Sequence, residues 1–270
     1  MKVSPREIER LTGRAAYNAA VESARVEDYL ALVRFAQGDC HWSPTEIVIG
    51  LDVEAFHDHL APDSRLLSNG NLRPYLSPSM RREMVPGAVR ALLGAEHTAQ
   101  SLMALGYVIV GFPSEKSTFD PDGYLRYRAW EREIAEGTFE PDIESSIREY
   151  DARLANFTAL DPARQALFEE LVARSASRSV RVRTFITPLH PLVLEHLDRS
   201  RNDERLRGDL VAYLTTLRER WPGFSYVDFT EIATFGGDPE LFFDGAHLRD
   251  ENAVRLVRAL FAEAAPGALP

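Results

Sequence analysis

Cysteine is almost absent from the sequence: Cys40 is the single one in 270 residues. One thiol cannot close a disulfide within the chain, which excludes the disulfide-stapled class of small secreted domains. It also excludes a zinc site built from several cysteines and histidines. His57 and His59, on either side of Asp58, offer an alternative metal pair, but the sequence around them supplies no evident third strong ligand. We therefore predict no metal and no cofactor.

Basic residues are in the minority, with 31 Lys and Arg against 41 Asp and Glu, so the formal net charge is −10 at pH 7. Nucleic acids and anionic membrane surfaces favour a basic face, and this balance argues against both as the main partner. No apolar run approaches the roughly 20 residues that a membrane-spanning helix needs. The charged first ten residues contain no apolar core of a signal peptide. As written, the sequence is that of a soluble, cytoplasmic protein.

Internal repeats and glycine-rich phosphate loops are also missing, and the sequence instead alternates short apolar runs with amphipathic stretches. This alternation is typical of a parallel sheet with helical crossovers. We expect a single α/β domain over residues 1–270, with three layers in the order α/β/α. The predicted strands are 14–21, 46–51, 180–187 and 224–229. The predicted helices are 5–12, 26–37, 142–157, 162–177, 189–198, 203–220 and 248–264.

Residues 53–178 interrupt this alternation with a long stretch of loops and helices. Helical segments are predicted near 82–105, a short apolar run follows at 107–112, and 119–127 has the composition of a turn. We interpret 53–178 as a helical insertion that covers the carboxyl end of the sheet. Ligands of open parallel sheets bind at that end, so the insertion is expected to border the functional site.

The segment Asp244-Gly245-Ala246-His247 precedes the last predicted helix and lies after the last predicted strand. A carboxylate three residues before a histidine can reach one imidazole nitrogen and leave the other facing outward as a general base. The alternative is that Asp244 caps the final helix and His247 lies in its first turn. Spacing alone does not decide between these two interpretations.

Four segments occur in the order seen in one enzyme superfamily. They are 17–20 (YNAA), 49–52 (IGLD), 188–191 (PLHP) and 244–247 (DGAH). In this order they resemble the SGNH/GDSL hydrolases, and more narrowly the branch that includes DltD-like and alginate-acetylation-like proteins. The resemblance covers both ends of the chain and is loose over the insertion.

The resemblance implies a flavodoxin-like sheet with strand order 2-1-3-4-5. It implies a serine hydrolase of acyl esters, with O-acetyl groups as the expected substrate, in which Asp244 orients His247 as the base. The expected partner is an acylated small molecule or carbohydrate. Two alternatives stay open: an O-acyltransferase of a cell-surface polysaccharide, and a catalytically silent glycan-binding or assembly protein.

The sequence departs from this pattern at the nucleophile, because no Gly-x-Ser block precedes the first helix. Ser4 is interpreted as a helix cap, and the nucleophile is unassigned. The strand that would carry the block, which is central in the expected sheet, is missing as well. We expect that Met1 is not the natural start, and that an upstream strand precedes it, with an export signal or membrane anchor as a further alternative.

The expected oxyanion region is also atypical. Ser23 stands where the family has a glycine, and its backbone N–H could still serve. Asp52 stands where the family has an asparagine, and a carboxylate repels a developing oxyanion. His190, at the end of a predicted strand, is expected either to line the site or to have a packing role.

Three aromatic residues of the insertion, Tyr124, Tyr127 and Trp130, offer an edge on which a carbohydrate could stack. Packing in the core is the favoured interpretation of these rings.

Overall fold

A computed structural model describes the chain over residues 3–21, 23–40, 43–63, 65–93, 118–199 and 201–262. Its helices are α1 Pro5–Thr12, α2 Val26–Gln37, α3 Arg65–Ser68, α4 Pro78–Leu93, α5 Arg128–Glu136, α6 Ile143–Arg153, α7 Pro162–Ala176, α8 Pro191–Asp198, α9 Arg201–Arg220 and α10 Asp250–Ala262. Its strands are β1 Glu46–Leu51, β2 Thr118–Phe119, β3 Leu125–Arg126, β4 Arg181–Ile186 and β5 Phe224–Asp228. Short 3₁₀ turns cover Val53–Phe56, Arg73–Tyr75, Ile232–Phe235 and Pro239–Leu241.

The main sheet is parallel, with the order β1-β4-β5. Side chains alternate between its faces, so Val182 and Ile186 of β4 belong to one apolar cluster and Phe185 to another. The first cluster joins the sheet to α2, α7 and α9, and the second joins it to α10. Helices on both faces of a parallel sheet confirm the α/β class. The flavodoxin-like order needs two further strands and stays a prediction.

The predicted strand over 14–21 is wrong, because this segment is neither helix nor strand. Its side chains bury little: Tyr17 is 55% and Val21 37% exposed. Asn18 uses its side chain locally, accepting the N–H of Ala20 at 2.8 Å and donating to the carbonyl of Val3 at 3.1 Å. Within the described residues β1 therefore pairs with β4 alone.

Two contacts join residues near positions 57 and 160, both within the predicted insertion 53–178. His57 and Leu160 form an antiparallel bridge, and the N–H of Asp161 donates to the carbonyl of Phe56 at 2.8 Å. Helix α7, which follows these contacts, contributes Phe168 to the main core beside the sheet. The apolar run at 107–112 and the end of the 82–105 segment lie outside the described residues.

A hairpin occupies the segment predicted as a turn over 119–127. β2 and β3 pair antiparallel, and Gly123 adopts φ +77° between them. A side chain at Gly123 would collide with the backbone of Asn18, because a Cβ atom would lie 2.1 Å from its carbonyl oxygen. The hairpin also bonds to α10 through Tyr124, whose hydroxyl donates to Asp250 at 2.7 Å. The sequence does not predict this hairpin or helix α5, which follows it.

In the part of the chain that is described, no helix combines the length and the apolar character that a membrane crossing demands.

Candidate active site

The loop that follows β5 and its 3₁₀ turns carries Asp244 and His247. Its ends are held by an antiparallel bridge between Phe242 and Leu248. Inside this bridge the N–H of Phe243 donates to the carbonyl of His247 at 2.7 Å. The loop is thus a closed turn, which limits how far its side chains can move relative to each other.

Asp244 uses both carboxylate oxygens within this loop. Oδ1 accepts the backbone N–H groups of Ala246 and His247, each at 2.8 Å. Oδ2 lies 2.7 Å from Nδ1 of His247. Helix α10 begins only at Asp250, so Asp244 is not its cap, and that alternative is wrong. The carboxylate instead caps its own turn and contacts the imidazole at the same time.

The electrostatics of the pair keep Asp244 ionised. Burial of the carboxylate acts to raise its pKa, but the hydrogen bonds from the His247 ring and from the N–H groups of Ala246 and His247 outweigh burial and lower the pKa below its usual value. An ionised carboxylate only accepts hydrogen bonds, so Nδ1 carries the hydrogen, and in the neutral form of the imidazole Nε2 is then the acceptor. The imidazole side chain is 28% exposed, which leaves it open to a ligand.

Gly245 is held between two helices. Its carbonyl accepts the N–H of His190 at 2.9 Å, and its N–H donates to Oγ of Ser146 in α6 at 2.9 Å. A Cβ atom at Gly245 would lie 2.5 Å from Cβ of Ser146 and 2.7 Å from Cγ2 of Val193 in α8. The site therefore needs glycine here for close approach. Ser146 is a site residue that the sequence analysis missed.

We expect Gly245→Ala to lower the free energy of unfolding by about 1–3 kcal/mol, because the added methyl group overpacks a filled space. It also pushes the loop away from α6 and α8, so the position of His247 should change with it. Denaturant unfolding monitored by circular dichroism measures the first effect.

The matched control is Gly208→Ala in α9, where an added Cβ meets no atom within 4 Å. A methyl group in this helix interior should raise stability by up to about 1 kcal/mol. Equal stability of the Gly245→Ala and wild-type proteins would contradict the steric argument.

His190 is buried behind the loop. Its Nδ1 accepts the N–H of Leu192 at 3.2 Å, so it caps α8, and its ring meets Phe242 edge-on at 5.3 Å. Burial lowers its pKa, more than the interactions with Glu240 and Pro239 raise it. These contacts describe a neutral histidine that supports the loop, which is the packing alternative of the sequence analysis.

Asp52 lies at the carboxyl end of β1 and accepts a hydrogen bond from the Thr187 hydroxyl at the end of β4. It borders a cavity of about 30 Å³ together with Glu54, Tyr150 and Thr230. Burial raises the pKa of Glu54, and the Asp52 carboxylate adds to that rise. Asp52 lies at a strand end, where a polar group is expected. It accepts the hydrogen of the Thr187 hydroxyl, so neither side chain offers a hydrogen-bond donor to an oxyanion through this contact.

Tyr150 of α6 lines the cavity at the strand ends together with Asp52 and Glu54. Burial raises its pKa well above the usual value, and the charges of Asp52, Glu54 and Asp244 add to this rise. The carboxylates that follow β1 and the carboxylate of the loop therefore act on one half-buried phenol. No motif marks Tyr150 in the sequence, because its position at the cavity depends on how α6 packs.

Ser23 is exposed in the turn before α2 and adopts φ 51°, in the left-handed region. Ser4 caps α1, accepting the N–H of Glu7 at 3.3 Å, as predicted. Among the described residues no hydroxyl group hydrogen-bonds to Nε2 of His247. A nucleophile is therefore not assigned.

The His57–Asp58–His59 segment uses its polar atoms for structure. Nε2 of His57 donates to the carbonyl of Ala155 at 3.2 Å, and Nδ1 accepts the N–H of His59 at 3.0 Å. Burial lowers the pKa of His57. Both oxygens of Asp58 accept hydrogen bonds from the Thr158–Ala159 turn. In the described ranges no group of three or more His, Cys, Asp or Glu side chains could hold a metal ion.

Aromatic rings stand beside His247. Tyr127 meets the imidazole edge-on with ring centres 5.7 Å apart, and the Trp130 ring is 6.5 Å away. Both residues belong to the predicted insertion, which thus reaches the loop.

No protein-family model and no curated protein matches the chain. The function therefore has to be argued from the chemistry of the Asp244–His247 loop and its surroundings.

Proposed function

We propose that the protein catalyses acyl transfer from an acyl ester, with an O-acetyl group as the acyl unit and water as the final acceptor. His247 is the general base and Asp244 its orienting partner. The observation that carries this proposal is the 2.7 Å contact between Oδ2 of Asp244 and Nδ1 of His247, in a loop next to a parallel sheet. Three of the SGNH-like segments, 49–52, 188–191 and 244–247, lie at or after the ends of β1, β4 and β5 in the expected order, which supports the same chemistry.

In the first step Nε2 of His247 takes the proton of a hydroxyl nucleophile, and the oxygen of that nucleophile attacks the ester carbonyl carbon. The resulting imidazolium is stabilised by the ionised Asp244. As the tetrahedral species collapses, the bond from the acyl carbon to the leaving alcohol oxygen breaks, and the imidazolium returns the proton to that oxygen. The resemblance expects a serine as this nucleophile, in which case water releases the acyl group through a second round of the same steps.

The test is hydrolysis of p-nitrophenyl acetate by the wild-type protein and by His247→Ala. Loss of a positioned general base should lower kcat/KM by about 10²–10⁴-fold. The matched control is His196→Ala. His196 forms another, more exposed Asp–His pair, with Nε2 2.9 Å from Oδ1 of Asp151. Equal loss in both variants, or no loss in His247→Ala, would contradict the proposal.

A second candidate is a catalytically silent glycan-binding protein. It is favoured by one observation, that no hydroxyl group of the described residues hydrogen-bonds to Nε2 of His247. Saccharide binding by a wild-type protein that does not hydrolyse the ester would support this second candidate over the first.

A further inference from the structure

Four aromatic residues form a wall next to His247, and we call it the aromatic wall. Its members are Tyr127, Trp130, Phe139 and Phe243. The Trp130 ring stacks on Phe243 with centres 5.2 Å apart and lies 4.6 Å from the Tyr127 ring. Phe139 closes the group, with its ring 6.4 Å from Trp130 and 6.1 Å from Phe243.

Local structure explains how these rings come together. Arg126 donates to Asp250 of α10 at 2.7 Å, which fixes the end of the hairpin just before Tyr127. Helix α5 follows and carries Trp130. It ends at Gly137, which adopts φ 70° and reverses the chain so that Phe139 returns to Trp130. Phe243 is part of the loop with His247 and is the base of the wall.

The wall combines a buried base with partly open rings. Phe243 is buried, whereas Tyr127, Trp130 and Phe139 each keep part of their surface in solvent. Trp and Tyr rings in such half-open positions present an apolar face and a polar edge to a ligand. The packing alternative for Tyr127 and Trp130 thus accounts for only part of their surface. Tyr124, by contrast, is buried and bonded to Asp250.

The charge of the protein and of the residues around the aromatic wall bears on whether its ligand is charged or neutral. The chain carries a net charge of −10. Arg126 and Arg128, which lie on either side of Tyr127, are already paired: Arg126 contacts Asp250 and Asp120, and Arg128 contacts Glu131. Because an anionic ligand would approach an acidic protein without a free cation from Arg126 or Arg128, an uncharged ligand is favoured.

We propose that the aromatic wall is a stacking platform for a pyranose ring of an uncharged, O-acetylated saccharide. The apolar C–H face of the sugar lies on Trp130 and Tyr127, and its hydroxyl groups remain in solvent. Seated there, the saccharide presents its ester to Nε2 of His247. This last part rests on the proposed function, whereas binding to the wall does not.

The test measures binding of an O-acetylated xylo-oligosaccharide by isothermal titration calorimetry, in a His247→Gln background that prevents turnover. Trp130→Ala should weaken binding by about tenfold, a loss typical of one aromatic stacking contact. Trp130→Phe, which keeps an aromatic face, should retain most of the affinity. Phe139→Ala is a second variant, to be used if Trp130→Ala does not fold. It should also weaken binding.

The control is Phe119→Ala, since Phe119 is exposed on β2 outside the wall; it should bind like the background protein. Equal affinity of all variants would overturn the platform, and so would tighter binding of an O-acetylated oligouronate than of the neutral saccharide.

The proposed catalysis and the proposed platform can be refuted independently of each other. Wall-dependent binding without ester hydrolysis by the wild-type protein would refute the proposed catalysis alone. Hydrolysis that requires His247 with unchanged binding in the wall variants would refute the platform alone.

Discussion

Asp244→Asn is expected to lower kcat/KM on p-nitrophenyl acetate by about 10³–10⁴-fold. Asparagine can keep the two backbone hydrogen bonds of the turn, because its carbonyl oxygen replaces Oδ1 as acceptor of the Ala246 and His247 N–H groups. Its amide nitrogen then faces Nδ1 of His247, where Oδ2 stood at 2.7 Å. An NH₂ group donates rather than accepts, so it selects the tautomer with the hydrogen on Nε2. That tautomer cannot take a proton from the nucleophile.

Asp151→Asn is the matched control, since it makes the same change in the surface pair with His196. It should leave kcat/KM unchanged. The imidazole nitrogen chemical shifts of His247, measured by ¹⁵N NMR, should report hydrogen on Nδ1 in the wild-type protein and on Nε2 in Asp244→Asn. Activity within about twofold of wild type, together with an unchanged tautomer, would contradict the orienting role of Asp244.

The parts of the fold that could be predicted from sequence are those that local chemistry determines. Ser4 and Gly13 bound α1 because a hydroxyl caps its first turn and a left-handed glycine ends it. Asp161 begins α7 in the same way, accepting the N–H of Ala163. The apolar runs at β1, β4 and β5 predicted buried parallel strands, and each strand lies within about one residue of its predicted bounds.

The run RAAYNAAV over 14–21, predicted as a short buried strand, forms none. Alanine side chains bury little surface, and a strand needs a neighbour to accept its backbone hydrogen bonds. In the structure the N–H of Asn18 donates instead to the carbonyl of Asp122 in the hairpin turn, at 2.8 Å. Sequence alone could not reveal that contact, since its two residues are far apart in the chain.

The candidate site also combines residues that are close in the sequence with residues that only the fold brings together. The spacing of Asp244 and His247 fits either a contact between them or a helix cap, and the structure decides for the contact. Ser146 and Phe139 come to this loop only through the packing of α6 and of the chain after α5. Neither residue type is distinctive at its position in the sequence. The aromatic wall and the clamp on Gly245 therefore required the three-dimensional structure.

Arg164 of α7 is the largest of the fully buried side chains in the described part of the molecule. Its Nε donates to Oε1 of Glu27 in α2 at 3.0 Å, and its other nitrogens donate to the carbonyls of His57 and Leu60. One guanidinium thus joins α2 and α7 to the segment 57–60, which follows β1. Glu27 is equally buried, and its Oε2 has no hydrogen-bond partner.

Arg164→Ala is expected to lower the free energy of unfolding by about 3–5 kcal/mol, because it leaves the Glu27 carboxylate buried without its cation. Guanidinium chloride unfolding followed by circular dichroism measures this loss. Arg164→Met with Glu27→Leu removes both charges, so it should recover part of the loss while the His57 and Leu60 carbonyls stay unpaired. Arg199→Ala, which breaks an exposed pair with Glu195 at 2.9 Å, should cost less than about 1 kcal/mol. If the Arg164 single variant were as stable as the Arg199 variant, the buried pair would not be what holds α2 and α7 to the His57 segment.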